Sequence, residues 1–267
     1  MKMENEEFAL FEIITAKLAE IEKNENIRII HAVESGSRAW GFASPDSDYD
    51  VRFIYIRPIE FYLRLDKVRD VIEYPIDGML DINGWDLNKT LRLLHSSNPT
   101  LFEWNNSPII YKTTKEWAVV RNVIDSYFLA KSGLYHYLGT ATGNYREYLK
   151  SDFVKLKKYF YVIRPLLACK WILDKKRTPP MLFSELVEAE LEEDMRPIIA
   201  DLLEQKANTS EMGEGRRIDE LNDYIEKNLA SLKATVDAMP NEQKADWYKL
   251  NELFLKLVQG ERSLERM

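Results

Sequence analysis

Glu34-Ser35-Gly36-Ser37-Arg38-Ala39-Trp40-Gly41, continued by Phe42 to Ser47 and closed by Asp48-Tyr49-Asp50-Val51-Arg52, is the stretch whose reading decides the fold. The apolar run Ile27 to Val33 leads into its Gly-Ser turn, and its Asp-x-Asp pair opens a second run, Val51 to Ile56. In a strand, residues i and i+2 point to one face, so Asp48 and Asp50 aim two carboxylates at one point. Like charges held that close call for a cation. Mg²⁺ accepts one or two carboxylates and completes its shell with water and substrate phosphates, and the neighbouring Gly-Ser turn can offer backbone N–H groups to a phosphate. Each part is ordinary alone: Asp46-Ser47-Asp48 is a polar loop, and Ser44-Pro45-Asp46-Ser47 is common turn chemistry. Their order and spacing between two strand-like runs carry the reading of a site for metal-assisted nucleotide transfer.

Composition sets the bounds around that stretch. With 267 residues, 45% of them hydrophobic, the chain can bury a sizeable core as one large domain or two smaller ones. Three His and the single Cys169 exclude a disulfide framework and a Cys/His zinc site. Cys169 lies in the apolar run Leu166-Leu167-Ala168-Cys169 and reads as a small buried hydrophobe, in keeping with a reducing cytoplasm. Met1 to Glu7 lacks the basic and apolar regions of a signal peptide, and no apolar run reaches bilayer length, so a soluble cytoplasmic protein with no membrane partner is expected. A net charge of −7 argues against broad nucleic-acid binding. The charge is uneven, however. Lys150 to Arg177 is strongly basic and is where a polyphosphate or a nucleic-acid end would dock, whereas Glu185 to Glu226 is acidic and reads as a solvated helical face.

Along the chain, Phe8 to Lys23 has helical apolar spacing, and Ile27 to Val33 and Val51 to Ile56 read as strands. Val68 to Glu73 and Met79 to Ile82 read as two more strands around a turn at Pro75-Ile76-Asp77-Gly78. Asp86 is placed to cap a helix Leu87 to His95, and Asn98-Pro99 to start a helix Thr100 to Asn105. Beyond Thr114 the pattern is helical: Lys115 to Leu129, Leu134 to Ser151, Asp152 to Asp174, Phe183 to Glu190, Glu193 to Lys206, Arg217 to Leu232 and Asn241 to Val258. Thr178-Pro179-Pro180 and Asn208 to Gly215 are the breaks. The fold class is therefore α+β, a mixed-sheet N-terminal part (1–112) followed by a helical part (113–267) with a cleft between them.

Gly36-Ser37, a loop, and Asp48-Tyr49-Asp50-Val51 resemble the signature of the polymerase-β-type nucleotidyltransferase superfamily. The longer run Gly36 to Tyr55 is similar to predicted nucleotidyltransferases of the YcgL-like, RNA-repair-associated RlaP family. So are Asp81-Ile82-Asn83-Gly84-Trp85-Asp86, Asn98 to Trp104, and Lys157-Lys158-Tyr159 through Trp171. The resemblance covers most of the chain. It implies a polymerase-β-like catalytic domain, a nucleoside triphosphate as substrate, two Mg²⁺ ions with Mn²⁺ as a substitute, and an RNA 3′ end or tRNA as a possible acceptor. A protein or small-molecule acceptor, or a non-catalytic nucleotide-binding module, are the alternatives.

Asp48, Asp50 and a third carboxylate would be catalytic and metal-holding. Asp81 is the choice for the third, both by resemblance and because an apolar-flanked carboxylate is costly to bury without a partner. Asp77 and Asp86 are its rivals, the first reading as a turn residue and the second as a helix cap. Gly36, Ser37 and Arg38 are candidates for the nucleotide's phosphates, with Arg38 alternatively paired to Glu34. From the helical part, Lys157, Tyr161 and Arg164 share a helical face with Lys150 and Trp171, and Lys158 lies on the adjacent row. These would bind the β- and γ-phosphates, or form a solvated basic face. Trp40 and Phe42 read as packing residues, with base stacking as the alternative. Tyr135, Tyr137, Tyr145, Tyr148, Tyr159 and Tyr161 either stack bases or pack helices.

Overall fold

A sheet covered on both faces forms the core around the Gly-Ser turn and the Asp pair. The computed structural model describes residues 2–76, 78–208 and 213–260, with side chains from Phe8 onward, so Asp77 lies outside the described residues. Helix α1 (Lys2–Glu25) leads into β1 (Arg28–Ser35), which ends in a one-turn helix α2 (Gly36–Ala39). Strand β2 (Tyr49–Ile56), a second one-turn helix α3 (Ile59–Tyr62), β3 (Val71–Glu73) and β4 (Leu80–Asp86) follow. Helices α4 (Leu87–His95) and α5 (Pro99–Asn105) lead to β5 (Ile110–Thr113). The five strands form one sheet of order β3-β4-β2-β1-β5. Only the β2–β4 pairing is parallel, so the sheet is mixed.

On one face Ile14, Leu18 and Ile21 of α1 pack on Ile29, Ala32, Val51, Phe53, Tyr55 and Ile82. On the other, Ile30, Val33, Ile54 and Ile56 pack on α4, α5, α6 (Lys115–Ile124) and a later helix whose Leu250, Leu253 and Leu257 return from the end of the chain. Gly84 lies in register with Phe53, and a Cβ on it would fall 2.2 Å from that ring. The bare backbone lets the Phe53 ring lie across β4. The caps are the expected ones: the Asn88 N–H donates to Asp86 Oδ1 at 2.7 Å, and the Thr100 N–H to Asn98 Oδ1 at 3.0 Å.

The helical part continues with α7 (Ala130–Tyr148), β6 (Phe153–Lys155), a 3₁₀ turn over Leu156–Tyr159, and α8 (Phe160–Lys175). Then come α9 (Phe183–Glu190), α10 (Arg196–Asn208), β7 (Glu214–Arg216), α11 (Asp219–Ala238) and α12 (Tyr248–Gln259). Its core gathers α7, α8 and α11 around Leu134, Phe160, Ile163, Leu167, Leu221 and Ile225.

Two expectations are corrected here. The helix expected over Asp152 to Asp174 begins only at Phe160, because Phe153–Lys155 pairs antiparallel with Glu214–Arg216 as a small second sheet. Consequently Lys150 does not share a face with Lys157; it bonds Glu226 on α11 at 2.6 Å. Pro165 lies buried inside α8, which runs on to Lys175. Cys169 is buried as expected, and burial pushes its thiol well above the usual thiol range. Among the described residues no helix is long and apolar enough to cross a membrane.

Candidate active site

The carboxylates come together because strand alternation and strand pairing agree. Val51, Phe53 and Tyr55 face α1, so Asp50 and Arg52 face the opposite side. Ile82 likewise faces α1, which turns Asp81 the same way as Asp50. The parallel β2–β4 register sets Asp50 directly beside Asp81. Asp48 precedes β2, is exposed, and lines the cleft together with Asp50.

On the other flank, Ser35 at the end of β1 pairs with Asp50. Gly36 has φ +60, and a Cβ on it would lie 2.0 Å from Asp50 Oδ2. A left-handed residue with no side chain is what lets the Asp50 carboxylate sit against the turn.

Arg52, which the sequence reading passed over, holds this group together. Its Nη2 donates to Asp50 Oδ1 at 2.8 Å and to Asp81 Oδ2 at 2.7 Å, and its Nη1 donates to the Asp81 carbonyl at 2.9 Å. The signal was available: Arg52 is two residues beyond Asp50 and must share its face. Even so, the Asp50 carboxyl is raised above its usual range, first by burial and then by Asp81 and Asp48, against the lowering effect of Arg52. Three carboxylates stand against this one guanidinium, so the formal charge of the group is negative.

Glu34 was also missed as a member of the site. It is fully buried on the α1 side, accepts the Asp50 N–H at 2.8 Å and receives the Tyr111 hydroxyl at 2.5 Å. Burial pushes its carboxyl up to about 7 against both hydrogen bonds.

A cleft of about 440 Å³ opens over the carboxylates. Gly36, Ser37, Asp48, Asp50, Lys157 and Tyr161 of the expected set line it. Trp40 and Lys206 line it as well. Burial, then Asp50 and Asp48, raises the Tyr161 hydroxyl. Lys206 lies on α10, in the stretch read as a solvated acidic face. It is 6% exposed, with its Nζ 5.5 Å over the Phe42 ring, and burial and Lys157 lower its ammonium below the usual range. No sequence signal pointed to it, since only helix packing brings α10 opposite β2.

Four expected residues stand back from the cleft lining. Asp81 is reached through Arg52. Arg38 does not pair with Glu34: it donates to the Ser47 and Asp48 carbonyls and stacks on Tyr49 at 3.6 Å, so it shapes the loop that carries Asp48. Lys158 lies 3.9 Å over the Tyr148 ring and 5.0 Å over that of Tyr161. Arg164 is 3% exposed, donates to Glu103 Oε1 at 2.7 Å and stacks 4.5 Å over Trp40, buttressing the cleft wall from behind. Of the tyrosines, Tyr137, Tyr145 and Tyr159 are buried with their hydroxyls bonded to Glu103, Glu226 and Asn222.

The donor set of Asp48, Asp50 and Asp81 is all carboxylate oxygen, which suits a hard divalent cation. Their formal charge, which Arg52 offsets only in part, fits one as well. With Arg52 between Asp50 and Asp81, no group of three acidic, His or Cys residues among the described residues stands close enough to hold an ion.

Known proteins resemble this chain over almost all its length. The family model RlaP, described as the RNA repair pathway DNA polymerase beta family, matches residues 10–256. The uncharacterized protein YcgL of Bacillus subtilis (strain 168) is 43% identical over 250 residues, covering 92% of this chain and 95% of that one. The crystal structure of a nucleotidyltransferase-like protein from Exiguobacterium sibiricum 255-15 aligns with 12% identity and a TM-score of 0.30, covering 84% of this chain and 75% of that one. By that family match and that identity, the chain belongs to the RlaP family, the RNA repair pathway DNA polymerase beta family.

Proposed function

We propose that this protein is a cytoplasmic, metal-dependent nucleotidyltransferase that moves a nucleoside monophosphate from a nucleoside triphosphate to a hydroxyl, with an RNA 3′ end as acceptor. The observation that carries the proposal is one cleft with Asp48 and Asp50 on its strand side and Lys157 and Lys206 on its helical side. Such a division separates the place for a metal and an attacking hydroxyl from the place for a polyphosphate.

Asp48 and Asp50, joined by Asp81 once Arg52 yields its bond to it, would hold Mg²⁺, or Mn²⁺ in its place. When bound, two such ions activate the attacking oxygen and neutralise charge on the departing pyrophosphate. The chain's own residues supply the rest. Lys157 and Lys206 bind the β- and γ-phosphates. Ser37 offers its hydroxyl to the same group. Tyr161 and Trp40 form the apolar wall that orients the nucleoside. Arg52 keeps Asp50 and Asp81 aligned, and Glu34 fixes the Asp50 backbone through its N–H.

The test is release of pyrophosphate from each of the four ribonucleoside triphosphates with Mg²⁺ or Mn²⁺. Short RNA, tRNA, bulk cell protein and small hydroxylic molecules serve as acceptors, and the double variant Asp48→Ala/Asp50→Ala as control. Labelled nucleotide should appear on RNA and fall at least ~10³-fold in the control. Label on protein or a small molecule instead would reassign the acceptor. Nucleotide binding with no turnover on any acceptor would replace the enzyme with a binding module.

A further inference from the structure

A second cavity, of about 600 Å³, lies at the same end of the sheet, one strand away from the first. The carboxylate cleft sits where β1 ends and β2 begins. The second cavity sits where β5 begins, at Asn105, Ser107 and Ile110. Since β5 runs antiparallel to β1, with Val33 opposite Ile110, both cavities open on one edge of the sheet. They are joined structurally: Ser107 Oγ donates to the Glu34 carbonyl at 2.6 Å, and the Glu34 side chain holds Asp50. Helix α8 spans both, with Tyr161 in the first and Trp171 in the second. Ten residues of helix separate these rings, about 15 Å at 1.5 Å per residue.

The second cavity brings cations and an indole ring together. Arg121, Lys176 and Arg177 line it, and each is exposed. None of the three makes a salt bridge among the described residues. Trp171 is held in place by donation from its Nε1 to the Thr178 carbonyl at 3.1 Å, and the Arg177 guanidinium lies 5.1 Å over its ring. Asn105, 8% exposed, lines the cavity; its Nδ2 donates to Asn106 Oδ1 at 3.1 Å, and its carboxamide oxygen is buried without a partner. Asp125 and Glu185 also line it. A pinned indole beside cations free of salt bridges matches base stacking with phosphate contacts.

Resting on the nucleotidyltransferase reading, we propose that this cavity is the acceptor subsite: it holds single-stranded RNA two to three nucleotides behind a 3′ hydroxyl placed at Asp48 and Asp50. Trp171 stacks a base, and Lys176, Arg177 and Arg121 take the backbone phosphates.

The test uses the full chain, fluorescein-labelled oligoribonucleotides of two and eight residues, and the exposed double variant Lys176→Glu/Arg177→Glu beside Trp171→Ala and Trp171→Phe. The octamer should bind at least ~10-fold more weakly to the charge-reversed variant and to Trp171→Ala, with Trp171→Phe partly restoring affinity. The salt dependence of octamer binding should flatten in the charge-reversed variant. The dimer, too short to reach Trp171, should bind all variants alike, and nucleoside triphosphate affinity should be unchanged in each. An octamer that binds wild type and the charge-reversed variant equally, or fails to bind wild type while triphosphate turnover on another acceptor persists, overturns the subsite and leaves the transferase reading standing. Loss of triphosphate binding and turnover in wild type overturns that reading instead, whatever the RNA does.

Discussion

The two walls of the cleft are built by different rules. The carboxylate wall is a sheet edge: Asp50, with Arg52 and Asp81 behind it, is fixed by strand alternation and a parallel register. The cationic wall is assembled from a 3₁₀ turn carrying Lys157 and a distant helix carrying Lys206. On the first wall a residue's neighbours follow from its position in the strand. On the second they follow from how helices stack. Strand-paired geometry is stiff and suited to placing reacting groups, whereas helix-borne lysines are suited to gripping a charged substrate.

The largest effect that would sharpen this contrast comes from Gly36→Ala. The new Cβ meets the Asp50 carboxylate in a left-handed backbone. Turnover should fall about 10²-fold through displacement of Asp50. Stability should fall by about 1–2 kcal/mol, read by chemical denaturation. A fully active Gly36→Ala would break the claim that the sheet edge is rigid.

A smaller effect is expected on the other wall. Lys206→Met keeps the packing on Phe42 and removes the charge. It should raise KM for the triphosphate about 10-fold with kcat little changed, the loss of one charge-assisted contact. A drop in kcat at constant KM would place Lys206 with the chemistry and erase the difference between the walls.

The smallest effect concerns the sheet's interior. His31 is buried, stacked on Trp117 at 4.5 Å, with Nε2 3.4 Å from the Trp104 carbonyl. Burial lowers its imidazole from 6.5 to about 4. The folded state therefore binds fewer protons than the unfolded state between those values. Stability should be full above pH 6.5 and decline as pH falls toward 4, and a thermal melt series should show His31→Gln losing part of that slope. An unchanged slope would mean the burial of His31 is not what makes the sheet acid-sensitive.

Much of the sheet wall was legible. The Gly36-Ser37 turn and the place of Asp50 on its strand follow from local signals such as alternation with period two, while Asp48 precedes the strand and Asp81, expected by resemblance as well as from its apolar flanks, lies beside Asp50 but back from the cleft lining. Arg52 obeyed the same rule and was overlooked beside the carboxylates it pairs with. The caps at Asp86 and Asn98, and helices α4 and α9 with their expected bounds, were local as well. The helical wall was read less well. Arg164 has the charge of a phosphate ligand but is spent on Glu103 and Trp40. Lys158 is drawn onto two tyrosine rings. The expected face joining Lys150 to Lys157 was broken by a strand whose partner, Glu214–Arg216, lies far along the chain.

By itself, then, the sequence determined the strands that flank the site, β1 and β2, and the turn between them, since these depend on residues within a few positions of one another. The tertiary structure alone decided which cations reach the cleft, that Arg52 bridges Asp50 to Asp81, and that a second basic cavity shares the sheet edge. Each of those depends on contacts between segments distant in sequence, and helix packing, unlike strand alternation, leaves no short-range period from which such contacts can be read.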